Sequence, residues 1–163
     1  MKVDIFSAPA SHSPILERLL ELYCFEFSTF LQTDVDDQGR FGYPYLDLYW
    51  QEANRHPFLI QIKGQYAGFV LVNQVLQYVS HPDAKAIAEF FIMPKYRRKG
   101  IGIEVAHRIF RMFPGWWEVS AFPVNQPALH FWQHTINRYT DGQFEQVETV
   151  FKHRVKQIFF FEK

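Results

Sequence analysis

Cysteine is nearly absent from this chain. Cys24 stands alone, so no intramolecular disulfide can form and nothing asks for an oxidising compartment. It falls within an apolar helical pattern without a basic neighbour in sequence, and reads as a buried, inert thiol rather than a nucleophile. A charge excess is absent too. Seventeen basic and seventeen acidic residues cancel, which argues against a domain that coats nucleic acid through bulk charge, so any phosphate binding must be local. No apolar run reaches membrane-spanning length, and "MKVDIFSAPA" lacks an apolar signal core. The expectation is a soluble, cytoplasmic protein without a membrane partner. Also missing are heptads, internal repeats and a linker, as are the P-loop and Gly-x-Gly-x-x-Gly patterns.

Apolar and aromatic residues, in contrast, are plentiful. They make up 48% and 18% of 163 residues, with 18 Phe, so the chain predicts one compact domain over 1–163. "KVDIFSA" alternates as a first strand. In "SHSPILERLLELYCFEFSTFL", Ser13 can cap a helix and Pro14 can open it, while Leu16, Leu19, Leu20, Tyr23, Phe27 and Phe30 recur on one face. "QTDVDDQGRFGYP" reads as loop and "YPYLDLYWQEA" as a shorter helix. "HPFLIQIK", a turn at "GQ" and "YAGFVLVNQV" predict a hairpin. A polar break, "SHPDAK", precedes an apolar strand, "AIAEFFIM". The helix "GIGIEVAHRIFRMF" follows, with Ile101, Val105, Ile109 and Met112 on one face. "PGWWEVSAF" predicts a strand, "NQPALHFWQHTI" a short helix, and "RYTDGQFEQVETVF" with "KQIFFFEK" two closing strands. The sum is an α/β or α+β domain with a mixed sheet of seven strands and four helices.

The chemistry concentrates at "KYRRKGIG". Lys95, Arg97, Arg98 and Lys99 stand where a very apolar strand turns into a helix. A helix start leaves its first amides unpaired and presents the positive end of its dipole, which together attract phosphate. Gly100 and Gly102 let a ligand approach the backbone closely. Taken alone, the run also reads as a solvated basic turn, or as a nucleic-acid contact with Tyr96, Trp116 or Trp117 for stacking. Overall neutrality weighs against the nucleic-acid reading.

"AEFFIMPKYRRKGIGIEVAHRIF" resembles the acetyl-CoA-binding segment of the GNAT superfamily of N-acetyltransferases, whose motif Arg/Gln-x-x-Gly-x-Gly/Ala follows a strand ending in Val/Ile-x-Pro. "NQPALHFW" is similar to the later family motif Asn-x-x-Ala-x-x-Phe-Tyr, with Asn125, Ala128 and Phe131 in place. The order of elements also matches the family fold over nearly the whole chain. The resemblance implies acetyl-CoA as acyl donor. Ile92 and Met93 would offer backbone groups to its pantetheine arm and thioester. Arg97 falls at the motif's Arg/Gln position, and the amides of Arg98, Lys99, Gly100, Ile101 and Gly102 would hold the pyrophosphate. Asn125 would reach the pantetheine across a splayed pair of strands.

Acetyl transfer to an amine requires an ammonium to lose a proton. Glu89, a carboxylate in an apolar strand, is the candidate base. Its alternatives are an outward-facing position or an arginine partner. At Trp132 the chain departs from the family, which often has there a tyrosine that protonates the CoA thiolate. Indole is no general acid at useful pH. Tyr139 could substitute, the thiolate could leave unaided, or turnover could have been lost, which would leave a CoA-binding sensor or interaction module. The resemblance places the acceptor beside residues 25–50, where Asp34 could attract a cationic amine and Phe27, Tyr43 and Tyr45 could stack against it. Asp36, Asp37 and Asp47 could add to that attraction and Trp50 to the stacking, while Asp36 and Asp37 also read as a solvated acidic loop. The partner implied is a small-molecule amine, with no nucleic acid, and the protein a monomer or homodimer. His130 and His134, four apart on a helix, lack an evident third ligand and read as ordinary histidines; no metal is expected.

Overall fold

The computed structural model describes residues 2–163. Its strands are β1 (Val3–Ser7), β2 (His56–Ile62), β3 (Gln65–Asn73), β4 (Lys85–Ile92), β5 (Trp116–Ala121), β6 (Glu145–Phe151) and β7 (Arg154–Glu162). The helices are α1 (Ser13–Leu31), α2 (Leu48–Gln51), α3 (Ile101–Met112) and α4 (Gln126–Thr140). The sheet is seven-stranded, in the order β1-β2-β3-β4-β5-β7-β6. It is mixed: β4 runs parallel to β5, whereas β1 with β2, β5 with β7 and β6 with β7 are antiparallel. The element order expected from the sequence is the one observed.

The chain forms two compact units, residues 2–71 with Glu89–Tyr96, and Val72–Ala88 with Arg97–Lys163. In the first, the apolar face of α1 buries Leu16, Leu19 and Leu20. Strands β2 and β3 add a run of fully covered residues, Leu59, Ile60, Phe69, Val70 and Leu71. Their hairpin turns at Lys63 and Gly64, both at positive φ (50° and 74°). This is the primed turn whose twist suits a two-residue hairpin, and it lies one residue before the "GQ" expected. Gly68 is required by packing. A Cβ there would stand 2.0 Å from the carbonyl oxygen of Phe91, so only glycine lets the chain of β4 come this close.

In the second unit, α3 buries Ile101, Val105, Ala106, Ile109 and Phe110. Phe110, Trp117 and Phe161 pack edge to face, with ring centroids 5.0 Å and 5.1 Å from Phe110. His107 shares a 2.9 Å hydrogen bond with the Thr135 carbonyl, tying α3 to α4. Burial holds its pKa below the ordinary value. Glu118 is 3% exposed. Its carboxylate accepts the amides of Gln77, Tyr78 and Val79 at 2.9, 3.0 and 2.9 Å, so a buried charge anchors the β3–β4 loop.

Several local expectations are corrected. Ser13 is the first helical residue rather than the cap, because the 3₁₀ turn Ala10–His12 runs straight into α1 and puts His12 at the cap position. Met112 lies 43% exposed, past the end of the buried stripe. The stretch "RYT" belongs to α4, which is 15 residues long and ends at a left-handed Asp141. Cys24 is only half-buried; its thiol is nonetheless pushed up to about 11, by desolvation first and then by the charges of Glu89 and Glu21.

Gly68→Ala should destabilise the protein by at least about 2 kcal/mol in chemical denaturation, since the clash is with backbone that cannot rotate away. A change within ~0.5 kcal/mol, the range of neutral surface substitutions, would contradict the close approach.

Candidate functional site

Two constellations carry chemistry, one in each unit. The first is built on Glu89. Strand β4 carries this carboxylate, and it is half-buried. Two phenols reach it. The Tyr23 hydroxyl donates to Oε2 at 2.5 Å and the Tyr43 hydroxyl to Oε1 at 3.1 Å. Tyr23 comes from the apolar face of α1, where its ring packs against Phe27, Phe69 and Phe91 at centroid distances of 4.5, 5.7 and 6.1 Å. Tyr43 comes from the loop between α1 and α2. That loop is tied to α1 through Glu21, whose carboxylate accepts the amides of Phe41 and Gly42 at 2.9 and 2.7 Å.

Both phenols hold their protons tightly. Desolvation pushes the Tyr23 and Tyr43 pKa values up, and the Glu89 charge adds to each. For Tyr43, its neighbour Tyr49 contributes in the same direction. A neutral phenol is a donor, so each hydroxyl is suited to stabilising a carboxylate and unsuited to delivering a proton to a leaving group. Tyr43 also lines a cavity of ≈ 270 Å³ with Glu17, Glu21 and Asp47.

The residues expected to meet an acceptor divide. Phe27 stacks on Tyr23, Tyr43 holds Glu89, and Tyr45 is 52% exposed with its ring edge-on to Tyr43 at 6.0 Å. Asp34 is an exposed loop residue. Asp36 serves its own turn, accepting the amides of Gln38 and Arg40 at 2.9 Å each. Trp50 donates its indole N–H to the Ala8 carbonyl at 2.8 Å. At the end of β4, Met93 spends its amide on the Ala67 carbonyl (2.8 Å) and its own carbonyl accepts from Tyr96 (2.9 Å). Ile92 is buried.

The second constellation is the turn into α3. Arg98 and Gly100 both have positive φ, 57° and 76°, and Gly100 is the cap residue, with no side-chain cap. Left-handed conformation at a non-glycine residue costs roughly 1 kcal/mol and tends to persist where function needs the resulting shape. Alternation of this kind turns successive amides toward one side, and the first amides of the helix have no partner within it. Arg97, Arg98 and Lys99 are exposed around the turn. A Cβ at Gly100 would meet nothing within 4 Å, so the space before the helix start is open. The donors, the charge and this open space fit a phosphate group.

Asn125, 8% exposed, caps α4: its side-chain oxygen accepts the Ala128 amide at 3.2 Å. Trp132 is 6% exposed and packs edge to face on Phe131, with centroids 4.9 Å apart. Tyr139 sits against His107, Phe110 and Phe161, at centroid distances of 5.1, 5.1 and 6.0 Å. Phe110 is about 14 Å along the helix axis from Ile101 at 1.5 Å per residue. Tyr139 is therefore not brought to the helix start at which the cations gather. His130 and His134 are exposed, and among the described residues no group of three candidate metal ligands occurs. Among the same residues no helix is long and apolar enough to cross a membrane.

A strand, a tight basic turn and a helix start of this kind sit on a mixed seven-stranded sheet. The model of the acetyltransferase (GNAT) family matches residues 16–136, and the chain belongs to that family. No curated protein matches. Solved structures show the fold throughout. An acetyltransferase from Thermus thermophilus superposes with a TM-score of 0.74 at 14% identity, covering 100% of this chain and 98% of that one. An aminoglycoside acetyltransferase in complex with coenzyme A gives 0.71 at 10% identity, over 99% and 95% of the two chains. A spermidine N-acetyltransferase from Vibrio cholerae, in complex with CoA and spermine, gives 0.67 at 12% identity, over 98% and 95%.

The sequence singles out Glu89 and the basic turn, whereas Tyr23 reads there only as a residue of the apolar face of α1. The available signal is a hydroxyl on an otherwise apolar helix face, matched by a lone carboxylate in an apolar strand.

Because the folded pKa values of Tyr23 and Tyr43 are raised, their contribution to stability is complete below the ordinary tyrosine value of 10.0 and is lost as pH rises beyond it. Spectrophotometric titration of the eight tyrosines should leave at least two unionised until the protein unfolds. Ionisation of all eight in the folded protein, with unchanged stability, would contradict the site as described.

Proposed function

We propose that the protein transfers the acetyl group of acetyl-CoA to a primary amine of a small molecule by direct attack. The observation that carries this reading is Glu89, a carboxylate held by two phenolic donors in an apolar strand and suited to take a proton from an ammonium. Family membership supports the donor. Acetyl-CoA supplies an activated acyl group and a thiol leaving group. The cradle for its pyrophosphate is the turn Arg98–Gly102, with Arg97 beside it, and Ile92, Met93 and Asn125 are assigned to the pantetheine arm. Met93 would act through its carbonyl, which has a second lone pair, because its amide is engaged.

The acceptor class follows from charge. Glu17, Glu21 and Asp47 around the cavity beside Tyr43, together with Asp34 in the same loop, favour a cation, and Phe27 and Tyr45 offer aromatic surface. Related folds have been solved with spermine or kanamycin bound, both of them amines. Glu89 accepts the proton, which frees the nitrogen lone pair. A thiol is a far better leaving group than an alcohol, so the thiolate departs without a dedicated acid, and neither Trp132 nor Tyr139 is assigned that role.

One observation favours a second reading, a CoA-binding module without turnover: Trp132, a buried indole, stands at the motif position where the family resemblance leads one to expect a tyrosine acid. Two variants separate the readings. Gly100→Glu, which puts bulk and negative charge into the open space, should weaken acetyl-CoA binding at least roughly a hundredfold by calorimetry, about 2.7 kcal/mol. Glu89→Gln should leave that affinity within a factor of about three and lower kcat by ~10²-fold or more. Unchanged affinity in the first variant would remove the cradle; undiminished kcat in the second would remove the base.

A further inference from the structure

The two donors to Glu89 are unlike each other, and the difference assigns distinct tasks to the carboxylate oxygens. Tyr23 belongs to the 19-residue helix α1, and three aromatic rings surround its own. Phe69 and Phe91, two of those rings, are 0% and 3% exposed, so the phenol cannot swing aside. Tyr43 sits in a loop between exposed Gly42 and exposed Pro44 and faces the ≈ 270 Å³ cavity. Its bond to Glu89 is also the longer, 3.1 Å against 2.5 Å.

Resting on the transferase reading above, we propose that Tyr23 is a positioning residue that holds Oε2 of Glu89 throughout the cycle, while Tyr43 is a placeholder on Oε1 that yields to the acceptor. The step is a single proton transfer. An N–H bond of the acceptor ammonium breaks, its electron pair stays on nitrogen, and an O–H bond forms at Oε1. The Tyr43 hydroxyl turns from donor to acceptor as the acceptor arrives. Tyr23 remains a donor to Oε2 whether or not Oε1 carries the proton, and so keeps the carboxyl plane fixed. Titratable groups facing Glu89 include Tyr23 and Cys24 from α1 and Tyr43 from the loop. All three are pushed above their ordinary values, so none of them supplies an acid limb in the rate profile.

The geometry predicts different pH profiles for two isosteric variants. The profile of kcat/KM reports free enzyme and that of kcat the substrate complex. Losing a hydrogen bond to a carboxylate moves its titration to higher pH. Tyr23→Phe should move the acid limbs of both profiles upward by about one pH unit, a tenfold change in proton affinity, with KM for acetyl-CoA unchanged. Tyr43→Phe should move the limb of kcat/KM alone, because in the complex its hydroxyl has already yielded. Fluorotyrosine at position 23 keeps the ring and strengthens the donor; it should move both limbs to lower pH, and it serves as the test if Tyr23→Phe fails to fold. An unmoved kcat limb with either change at position 23, or equal movement of both limbs by Tyr43→Phe, would overturn the assignment.

Infrared titration of the protonated carboxyl band, isolated by subtracting Glu89→Gln, needs no turnover. If no amine is acetylated, a shift of this band in Tyr23→Phe still supports the positioning role while the transferase reading falls. An unshifted band overturns the positioning role itself.

Discussion

A carboxylate set into an apolar strand stays charged only if donors replace the water it has lost. Glu89 has two phenols for this, each drawn from a different part of the chain. The first unit is arranged around that requirement. The apolar stripe of α1 brings Tyr23 inward, and Glu21, two residues earlier, captures the loop amides that set Tyr43 in place. Gly68 lets β3 and β4 approach closely enough to stack Phe69 and Phe91, with centroids 5.7 Å apart, beside the same phenol. Charge-assisted hydrogen bonds of this kind are worth roughly 1.5–3 kcal/mol each, enough to hold a carboxylate oriented.

The second unit uses backbone rather than side chains. A left-handed Arg98 and a left-handed Gly100 aim the helix start at open space, and three exposed cations surround it. Anion binding at such a point follows from unpaired amides and the helix dipole. In a chain without net charge, this turn is a local concentration of positive charge. Glu118 shows the same economy in reverse: a buried negative charge held by three backbone amides orders a loop that its sequence alone does not.

Much of this is legible in the sequence, because periodicity reports which face of an element is covered. The order of strands and helices, the hairpin of β2 and β3 and the basic turn at "KYRRKGIG" all follow from short-range patterns. Periodicity does not report partners. Tyr23 reads as one more apolar-face residue because its contact with Glu89 spans 66 positions, and Glu118 gives no signal because its amides lie 39 to 41 positions away. Boundaries shift where a local rule meets a neighbour. Ser13 has the chemistry of a cap, but the turn before it is already helical. Arg138, Tyr139 and Thr140 look like the start of a strand, yet α4 carries them to its end because Ile136 and Thr140 are buried there. Tyr139 is a candidate acid by residue type alone, and its packing against the far half of α3 gives it a structural role.

The central claim is that this protein moves an acetyl group from a thioester to an amine. The direct measurement incubates the purified protein with acetyl-CoA and a panel of primary amines, rich in di- and polycations, and follows free CoA thiol and acetylated amine together. The account predicts one thiol released for each amide formed, with at least one cationic amine as acceptor. Tight binding of acetyl-CoA with no thiol released by any amine would contradict it and leave a CoA-binding module.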